Sequence, residues 1–600
     1  MTVVYRPEID GLRALAVLSV VLFHAKVPGF ENGFLGVDIF FVISGFLITT
    51  IILREHAGSG FSYLNFVTRR ARRILPALGV VTIACMPFAY WLMLPDALEN
   101  FGQSLVATTL SANNILLWLT SGYWDLSSEY KPLLHTWSLG VEEQFYVLYP
   151  LLLIGLFKFR RSALLIGLSG LAVLSFCLMV YELNRDAAAA FYLLHCRAWQ
   201  LLVGGIAALT ATRFEMKPSE QWAGLGVVMM LASMLPWPAE GSLLPVHMVL
   251  ATVGAALYLL WASSNLRVTW PFTQRAVVFT GLISYSFYLW HQPVFAFLRV
   301  ALFEEPRPLA VALAGLLCFG LAALTWRYIE VPFRSPTKVP PRRFWPMIVI
   351  TTVASLFVGM AMHFSSGFPE RLNYPDEQGA AGGAIAYNER IRRILPNIVP
   401  ANKELPVVLV AGNSFARDFA NVLIEAGLSE SLTLVYRDDV SACSAEWSND
   451  QKQLVSSVDF VIFAGVTYGR TCIEGNVAAS GALSVPFRYV GPKHFGNNPN
   501  PLVRMTTEER VAVRLKVPEI ILIRNASQKK YLRNLYIDLL PVLAEDGRHI
   551  RVANDQGILL STDNIHLSKA GAVYLANELE HLMPEIFQLA KTRRPIETAQ

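Results

Sequence analysis

Charged side chains are scarce in this sequence, since only 16% of its 600 residues are Asp, Glu, Lys or Arg and 54% are hydrophobic. A composition with so little charge does not suit one ordinary soluble domain. The net charge of +5 is spread over several segments without a nucleic-acid-binding pattern, so we expect no nucleic acid partner. The first ten residues, MTVVYRPEID, lack the features of a signal peptide, and no small-residue cleavage site follows. The first apolar run is therefore expected to be a retained helix.

Long apolar runs are present instead, and they lie unevenly along the chain. Between Gly11 and about Met362, runs of about 20 residues recur, each able to cross a bilayer core of about 30 Å. The stretch 103–119 is left out, because its Asn, Ser and Thr content suits an interfacial helix better. Beyond Phe364 the composition becomes that of a mixed globular domain. The sequence thus predicts eleven spans, near residues 11–26, 34–53, 74–94, 141–158, 163–182, 194–211, 221–237, 246–264, 276–299, 309–329 and 345–363.

The charge of the loops indicates which way these spans run. Alternate loops are basic, as in the run RRARR at 69–73, whereas the intervening loops combine few basic residues with acidic ones such as Asp96 and Glu129. By the positive-inside rule, the basic loops and the amino terminus face the cytoplasm. An odd number of spans then leaves the carboxy-terminal domain outside.

The six cysteines agree with this placement. Four lie in apolar spans, where a cysteine usually behaves as a small buried hydrophobic residue. Cys443 and Cys472 fall in the domain that we expect outside. In an oxidising compartment they are a candidate disulfide, with two unpaired buried thiols as the alternative.

Two ionisable residues interrupt the first apolar helix, GLRALAVLSVVLFHA. Arg13 and His24 are almost three helical turns apart, so both project from one face with a separation of about 16 Å. Titratable groups in a bilayer are costly unless they face a cavity or a partner. The pair is therefore a candidate site, with a snorkelling arginine and a buried, satisfied histidine as the simpler reading.

Further polar residues fall at the depth of His24. His291 lies on the outward ninth span, and Asp38, Glu142 and Glu143 begin inward spans. Several polar positions at one level favour a shared site over independent structural pairs. On the opposite side, the arginines of RRARR suit either lipid headgroups or a phosphate ligand.

An ordered set of motifs across the membrane half resembles the integral-membrane acyltransferase-3 family. The motifs are EIDGLRALAVLSVVLFHA, FLGVDIFFVISGFLI, FVTRRARRILPAL, LLHTWSLGVEEQFYVLYP, SYSFYLWHQP and YIEVPFR. The resemblance implies acyl transfer, usually of acetyl, from cytoplasmic acetyl-CoA to an extracytoplasmic carbohydrate. It implies that His24 is the catalytic histidine and Arg13 an essential arginine. Arg69 and Arg72 match the RxxR motif of the family, and Glu143 lies in its acidic block.

This resemblance gives the Arg13 to His24 spacing a mechanistic meaning. We expect arginines at the inner face to hold the CoA phosphates while the thioester lies beside His24. A neutral imidazole then acts as general base or as nucleophile, and the sequence leaves both open. No metal site is expected. Gln200 occupies a position where the family commonly has Glu, so we carry no role onto it.

The carboxy-terminal part alternates short β-branched runs with helical patterns, which is typical of a parallel sheet covered by helices. PVVLVAG ends at Asn413 and Ser414 and passes into an amphipathic helix, and further strands are predicted at 432–436, 459–464, 519–523 and 549–553, with a last helix from about 568. A serine at a strand-to-helix turn is well placed for nucleophilic work, although a helix N-cap is the simpler reading. Asp563 and His566 complete the chain order of a catalytic triad.

These blocks resemble the SGNH hydrolase and acetylesterase superfamily over about residues 406–590. The resemblance assigns Gly465 to the second block and implies that Asn498, or the neighbouring Asn497, supplies an oxyanion contact. One departure concerns the first block, which usually reads Gly-Asp-Ser and here reads Gly-Asn-Ser. Asn413 keeps hydrogen bonding but loses a charge, so the resemblance leaves the competence of Ser414 open.

The prediction is a polytopic α-helical domain followed by an SGNH-like α/β/α domain. The predicted boundaries are 1–335 for the acyltransferase domain with ten spans, 336–363 for the eleventh helix, 364–405 for a linker and 406–600 for the periplasmic domain. The resemblances imply an O-acetyltransferase of a bacterial inner membrane that uses acetyl-CoA, lipid surroundings and an envelope glycan such as O-antigen lipopolysaccharide.

Two alternatives stay open at this point. One is a glycan or proton transporter, or flippase, with a tethered esterase, in which the buried histidine and carboxylates form a coupling relay. The other is a glycan-binding protein with an inactive hydrolase domain. The sequence leaves open the glycan, the acyl chain length and the oligomeric state.

Overall fold

The computed structural model describes residues 5–58, 60–121, 128–157, 161–214, 216–235, 243–374, 383–400, 404–440, 447–465 and 485–592. The chain forms two compact units. The membrane unit comprises Met1–Ala89, Phe101–Arg299 and Glu305–Ala361, and the C-terminal unit comprises Tyr90–Asn100, Val300–Glu304 and Met362–Gln600. The predicted fold class, membrane helices followed by a helix-covered parallel sheet, is confirmed.

Up to Phe364, the regular structure of the described residues is helical. They are α1 Pro7–His24, α2 Gly36–Ala57, α3 Tyr63–Leu92, α4 Pro95–Thr109, α5 Asn113–Leu119, α6 Thr136–Leu156, α7 Arg161–Leu183, α8 Ala187–Tyr192, α9 Leu194–Arg213, α10 Glu220–Met234, α11 Leu244–Trp261, α12 Arg275–Leu282, α13 Ser284–Val300, α14 Pro308–Thr325, α15 Val331–Arg334 and α16 Pro341–Phe364. A π-helical turn joins α14 to α15.

Within the described residues, 8 helical segments are long and apolar enough to cross a membrane. They are Gly33–Ala57, Tyr63–Leu92, Thr136–Leu156, Ala163–Leu183, Ala187–Arg213, Leu244–Trp261, Pro308–Arg334 and Pro341–Phe364. The predicted count of eleven is therefore not confirmed. Helix α1 carries three charged residues, α10 has 15 residues, and the ninth predicted span is broken at Ile283. The excluded stretch 103–119 forms parts of α4 and α5, which are not among the eight.

Two glycines let α2 and α9 approach closely. A Cβ on Gly45 would lie 1.9 Å from the carbonyl oxygen of Leu201, and a Cβ on Gly204 would lie 2.1 Å from that of Val42. Small residues of this kind allow membrane helices to pack backbone against backbone. This crossing brings together polar side chains of the two helices, Asp38 of α2 with Arg197 and Gln200 of α9.

The C-terminal unit contains α17 Ala384–Glu389, α18 Ile391–Ile394, β1 Val407–Gly412, α19 Ser414–Glu425, β2 Thr433–Arg437, α20 Asn449–Ser456, β3 Phe460–Ala464, β4 Phe487–Val490, α21 Thr507–Ala512, β5 Arg514–Lys516, α22 Glu519–Leu532, β6 Tyr536–Ile537, α23 Leu540–Leu543, β7 His549–Arg551, α24 Lys569–Asn577, α25 Leu579–Leu582 and α26 Pro584–Lys591. A parallel sheet has the order β2-β1-β3-β4-β6, and β5 pairs with β7 in antiparallel fashion. Strands β1 and β3 are buried throughout, as expected for a sheet covered on both faces.

The strand predictions around 432–436, 459–464 and 549–553 are confirmed by β2, β3 and β7, and the last predicted helix by α24. The strand predicted at 519–523 is wrong, because this segment begins helix α22. The run EIILI suggested a strand, but Pro518 precedes it and Glu519 lies in the first helical turn, where an acidic side chain favours a helix. Short apolar runs do not separate the two structures by pattern alone.

Candidate active sites

Three histidines meet inside the membrane unit. His24 ends α1, His291 lies in α13, and the centroids of their rings are 4.9 Å apart. His135 immediately precedes α6, and its ring centroid lies 5.5 Å from that of His291. The sequence reasoning grouped His24 with His291 but gave no role to His135. The sequence feature that could have identified His135 is its position in LLHTWS, shortly before the span predicted at 141–158.

The backbone orients the His24 ring. Its Nδ1 lies 2.8 Å from the carbonyl oxygen of Val20, one helical turn earlier. Since a carbonyl only accepts hydrogen bonds, this contact assigns a proton to Nδ1, and in the neutral ring the lone pair is then on Nε2. Arg299 donates to the carbonyl oxygen of His24 at 2.6 Å, which ties the end of α1 to α13. The ring therefore presents an unprotonated nitrogen.

His24 lines the histidine cavity, a space of about 410 Å³. Aromatic and aliphatic side chains form most of its wall, and charged groups join them. Lys26 donates to Glu129 at 2.6 Å, and Arg299 lies nearby. The full lining is Val20, Phe23, His24, Lys26, Phe34, Val37, Ser128, Glu129, Leu134, His135, Trp137, Phe191, Tyr192, Tyr288 and Arg299.

A second space, the arginine cavity, adjoins it through a common wall. This cavity of about 80 Å³ is lined by Arg13, Arg70 and Arg73 among other residues. Val37 and Tyr288 line both cavities. A third pocket of about 250 Å³ shares two of the arginines and adds Arg69 and Arg334. Shared lining residues thus connect the third pocket to the arginine cavity, and the arginine cavity to the histidine cavity, whose wall includes His24 and His135. The lining of the third pocket is Ile51, Phe66, Arg69, Arg70, Arg73 and Arg334.

The Tyr288 side chain is fixed in the common wall. Its hydroxyl donates to the carbonyl oxygen of His135 at 2.9 Å and lies 2.7 Å from Ser138 Oγ. Ser138 itself lines the arginine cavity. The common wall thus contains a buried tyrosine whose hydroxyl is held by the start of α6.

The predicted inner-face arginines take different positions. Arg13 lines the arginine cavity and pairs with Asp10 at 2.9 Å. Arg69 pairs with Glu55 at 2.6 Å and lines the third pocket. Arg72 is 3% exposed and donates to the carbonyl oxygens of Phe333 and Val339, so it braces the chain after α15. The RxxR arginines are therefore flanked by two others, at 70 and 73, that line both pockets.

The predicted carboxylates do not converge on one point. Glu142 lines the arginine cavity and accepts from Ser44 at 3.0 Å and from Tyr146 at 2.7 Å. Glu143 Oε1 is buried and accepts no hydrogen bond from the residues that the structure describes. The roles predicted for these side chains stay predictions.

Asp38 lies in a separate buried cluster. Arg197 donates to its Oδ2 at 3.2 Å, and Gln200 donates to its Oδ1 at 2.9 Å. All three residues are almost completely buried. The amide of Gln200 thus completes the hydrogen bonding of a carboxylate, which a glutamate at this position would oppose by like charge. Asp38 supports the α2 and α9 crossing in this structure.

In the C-terminal unit, Ser414 lies where the sequence predicts, at a strand-to-helix turn. Strand β1 ends at Gly412, Asn413 is the N-cap of α19, and Ser414 is the first residue of the helix. The Asn413 side chain accepts from the amide of Phe415 at 3.1 Å. Gly412 has a φ of 129°, and a Cβ there would lie 2.1 Å from the carbonyl oxygen of Ala464. Only glycine fits this turn.

His566 and Asp563 form a buried hydrogen-bonded pair, with 2.5 Å between Nδ1 and Oδ2. Asp563 Oδ1 also accepts from the amides of Ile565 and His566, both at 2.8 Å. Burial opposes ionisation of Asp563, but the charge of His566 and these hydrogen bonds lower the pKa of the carboxyl. Burial likewise opposes a charged imidazole, yet Asp563 raises the pKa of His566. The pair has the geometry of an oriented general base.

The serine turn lies close to this pair. The ring of Phe415, the residue after Ser414, has its centroid 6.5 Å from that of His566. Two residues that the sequence reasoning missed lie beside it. Lys493 Nζ is 2.7 Å from Asp418 Oδ2, both side chains are buried, and the ammonium lies 4.0 Å from the centroid of the Phe415 ring. Lys493 was not identified from the sequence because it follows β4, a strand that the sequence pattern did not predict.

Gly465 and Asn498 are the residues predicted to contribute oxyanion contacts. Gly465 comes directly after Ala464, whose register partner is Gly412, so it lies at the sheet edge that carries Ser414. The Asn498 amide donates to the carbonyl oxygens of Val300 and Leu302 at 3.2 and 2.6 Å. Its oxyanion role stays a prediction.

Cys443 and Cys472, the candidate disulfide, lie outside the described residues. Across the ranges that the structure describes, no group of three or more His, Cys, Asp or Glu residues could hold a metal ion.

Comparisons with known proteins find relatives of the membrane unit. Residues 6–327 match a family described as Acyltransferase domain, the acyltransferase-3 family. Putative O-acetyltransferase SAS0844 of Staphylococcus aureus (strain MSSA476) is 29% identical over 387 residues, which cover 59% of this chain and 62% of that protein. O-acetyltransferase OatA of Staphylococcus aureus (strain NCTC 8325 / PS 47) is 28% identical over 354 residues, 55% of this chain and 57% of OatA.

The chain spans about three fifths of the length of the curated relatives it matches. No solved structure matches the chain. The family match nevertheless covers more than half of the sequence and includes α1, the three histidines and the arginine cavity. The chain therefore belongs to the acyltransferase-3 family.

Proposed function

We propose that the protein is an O-acyltransferase that moves an acetyl group from cytoplasmic acetyl-CoA to a hydroxyl of an envelope glycan, such as O-antigen. The observation that carries this proposal is that a cavity lined by the arginines at 13, 70 and 73 shares Val37 and Tyr288 with the cavity that His24 lines. Family membership and the O-acetyltransferase relatives support acyl transfer. The proposed location is a bacterial inner membrane, with the amino terminus inside and the C-terminal unit outside.

The arginine side suits the donor. Guanidinium groups bind phosphates in bidentate fashion, and four arginines line the 250 Å³ pocket. The arginine cavity, at about 80 Å³, is too narrow for a nucleotide but suits an extended arm that carries a thioester. In this arrangement the arginines hold the CoA phosphates, the arm passes Tyr288, and the thioester lies beside His24.

His24 supplies the reacting nitrogen. As general base, Nε2 removes the proton from an acceptor hydroxyl while its oxygen attacks the thioester carbonyl, and the CoA thiolate leaves and takes a proton. As nucleophile, Nε2 itself attacks the carbonyl, the CoA thiolate leaves, and the acetyl-imidazole passes the acetyl group to the hydroxyl. Both routes use the lone pair that the Val20 contact leaves on Nε2.

The C-terminal unit completes the transfer. Ser414, Asp563 and His566 supply the elements of an SGNH-like serine site at the carboxyl edge of a parallel sheet. In the proposed sequence the Ser414 oxygen attacks the carbonyl of the acetyl ester that was formed at the membrane site, while His566 accepts the serine proton. The bond from the acetyl group to its former oxygen breaks, and that oxygen leaves with the proton from His566. A bound sugar hydroxyl then gives its proton to His566 and attacks the acetyl-serine, and the serine oxygen leaves and regains a proton. Exclusion of water favours the sugar over hydrolysis.

The test compares O-acetyl signals of envelope glycans by proton NMR in cells that carry wild-type protein, His24→Ala or Ser414→Ala. We expect the signal to disappear in both variants. Matched controls are His581→Ala and Ser456→Ala, which alter exposed residues of α25 and α20 and should keep the wild-type signal. Wild-type acetylation in His24→Ala cells would overturn the proposal. Loss in His24→Ala cells alone would overturn the serine step and make the C-terminal unit accessory.

A further inference from the structure

One buried carboxylate of the C-terminal unit lies beside the triad without belonging to it. Asp96 is 1% exposed and comes from the short segment Tyr90–Asn100, 288 positions before Ala384 in the chain. Its Oδ2 accepts from the amide of Ala384 at 3.0 Å and from the hydroxyl of Thr562. Its Oδ1 accepts from the amide of Ile385 at 3.3 Å. Thr562 directly precedes the triad aspartate.

Helix α17, which begins at Ala384, reaches the serine turn with its other end. Asn388 is 1% exposed, and its amide donates to the carbonyl oxygen of Ser414 at 2.7 Å and to Asp418 Oδ1 at 2.6 Å. The start of α17 is therefore bonded to the loop of Asp563, and its end to the turn of Ser414. A single short helix joins the two halves of the proposed triad.

The fit around Asp96 is close. A Cβ on Gly383 would lie 2.3 Å from Asp96 Oδ1, so the backbone reaches the carboxylate only because this residue is glycine. The segment that carries Asp96 is itself anchored, since the amide of Leu94 donates to Asn500 Oδ1 at 2.8 Å. Arg371 also donates to the carbonyl oxygen of Met93 at 3.0 Å. The backbone just before Asp96 is thus held in place by two further hydrogen bonds.

We propose that Asp96 is a positioning residue for the serine site, which acts through Thr562 and α17 to hold the Asp563 loop and the Ser414 turn in register. This inference rests on the proposed role of Ser414 as nucleophile. A hydrogen-bonded clamp matters here because a displacement of about 1 Å between nucleophile and base lowers a rate by up to about 10²-fold.

The charged neighbours make this role measurable. Burial, and then the charge of Asp563, raise the pKa of Asp96 to about 7. Glu99 also faces Asp96, and Asp418 and Lys493 face His566 together with Asp563. The nearby His494 is buried, which lowers the pKa of its imidazole to about 4, so it is neutral near pH 7. A negative charge on Asp96 favours the protonated form of His566.

The experiment measures the rate at which a fluorophosphonate probe labels Ser414 in the purified full-length protein, from pH 5 to 9. In Asp96→Asn we expect labelling to slow by about tenfold. The midpoint of the His566-dependent limb should also fall by about half a pH unit, because a nearby negative charge is lost. Thr562→Val breaks the tether and also removes a hydrogen bond that lowers the pKa of Asp96. We therefore expect slower labelling with a smaller fall of the midpoint than in Asp96→Asn.

Glu99→Gln is the matched control, because Glu99 lies on the same helix but pairs with His363 at 2.9 Å. It should label within about twofold of wild type. Wild-type rates and midpoints in Asp96→Asn, or a slower rate explained by a lower melting temperature with no shift of the midpoint, would overturn the inference. Absence of labelling in the wild-type protein would overturn the serine site itself, so the two failures are distinguishable.

Discussion

The imidazoles of His24 and His566 are the proposed reacting bases of the two units, and they are oriented by different acceptors. Nδ1 of His24 faces the neutral carbonyl oxygen of Val20 at 2.8 Å, whereas Nδ1 of His566 faces the carboxylate of Asp563 at 2.5 Å. Both contacts occupy Nδ1, so Nε2 is the nitrogen that the proposed reactions use. Only the carboxylate also stabilises an imidazolium. The membrane centre is thus arranged for a neutral ring, and the C-terminal centre for a ring that carries a charge in turnover.

The surroundings of the two rings differ in the same sense. His24 lies near two further imidazoles, those of His135 and His291. His566 lies near a buried ion pair of Asp418 with Lys493. Buried charge is costly in an apolar region, and neutral hydrogen-bonding groups avoid that cost. The two imidazoles therefore lie in different electrostatic settings, one among neutral rings and one beside buried charges.

The largest expected effect concerns the carboxylate that orients His566. Asp563→Asn removes the charge that stabilises the imidazolium of His566, so fluorophosphonate labelling of Ser414 should slow by about 10³-fold. At His24 Nδ1 the acceptor is instead the neutral carbonyl oxygen of Val20. Asp546→Asn, an exposed aspartate bonded to His549, is the control and should label at the wild-type rate. Equal labelling of Asp563→Asn and wild type would contradict the triad.

A second prediction sharpens the account of the membrane half by separating neighbouring arginines. Arg73 lines the arginine cavity, whereas Arg72 binds backbone carbonyls and lies 4.4 Å from the Phe344 ring centroid. Arg73→Ala should raise the KM for acetyl-CoA by about tenfold, the loss of one charged contact. Arg72→Ala should instead lower the melting temperature. A raised KM in Arg72→Ala with unchanged stability would favour the RxxR assignment of phosphate binding to Arg72.

A smaller effect concerns stability and pH. The pKa of Asp563 is lowered on folding, so its contribution is present above the unfolded value and is lost as the pH falls through the folded value. The pKa of His566 is raised, so its contribution is present below the unfolded value of about 6.5 and is lost as the pH rises through the folded value. The melting-temperature difference between wild type and Asp563→Asn should therefore be largest near pH 5 to 6. A difference that grows above pH 8 would contradict the pairing.

The smallest effect tests whether charge at the serine turn matters. Asn413→Asp keeps the N-cap contact to the amide of Phe415 and places a negative charge at a helix start, which favours the helix. Labelling of Ser414 should stay within about threefold of wild type. A gain of tenfold or more would show that Asn413 holds the serine site below its full activity.

Local pattern was enough to predict much of this molecule. The β-branched run before Asn413 predicted strand β1, and the polar residues of the first apolar helix pointed to the cavity that His24 lines. The chain order of Ser414, Asp563 and His566 also suited a triad. In each case the signal lies in a few consecutive residues or in a spacing that follows helical geometry.

The rest depends on contacts between distant segments, which a single sequence does not contain. Helix α22 begins with an apolar run that reads equally well as a strand, and β6 has only two residues. Asp96 lies in a predicted loop and acquires its role only from Ala384 and Thr562. The sequence around His135 does not show which ring it meets, because its neighbour His291 comes from the distant helix α13.

Val37 and Tyr288 line both the arginine cavity and the histidine cavity, and the Tyr288 hydroxyl is held by His135 and Ser138. The same short segment also contributes Ser138 to the wall of the arginine cavity and His135 to the wall of the histidine cavity. The start of α6 is therefore the part of the membrane unit that links the walls of the two spaces, so a shift of this one segment changes the shape of both at once.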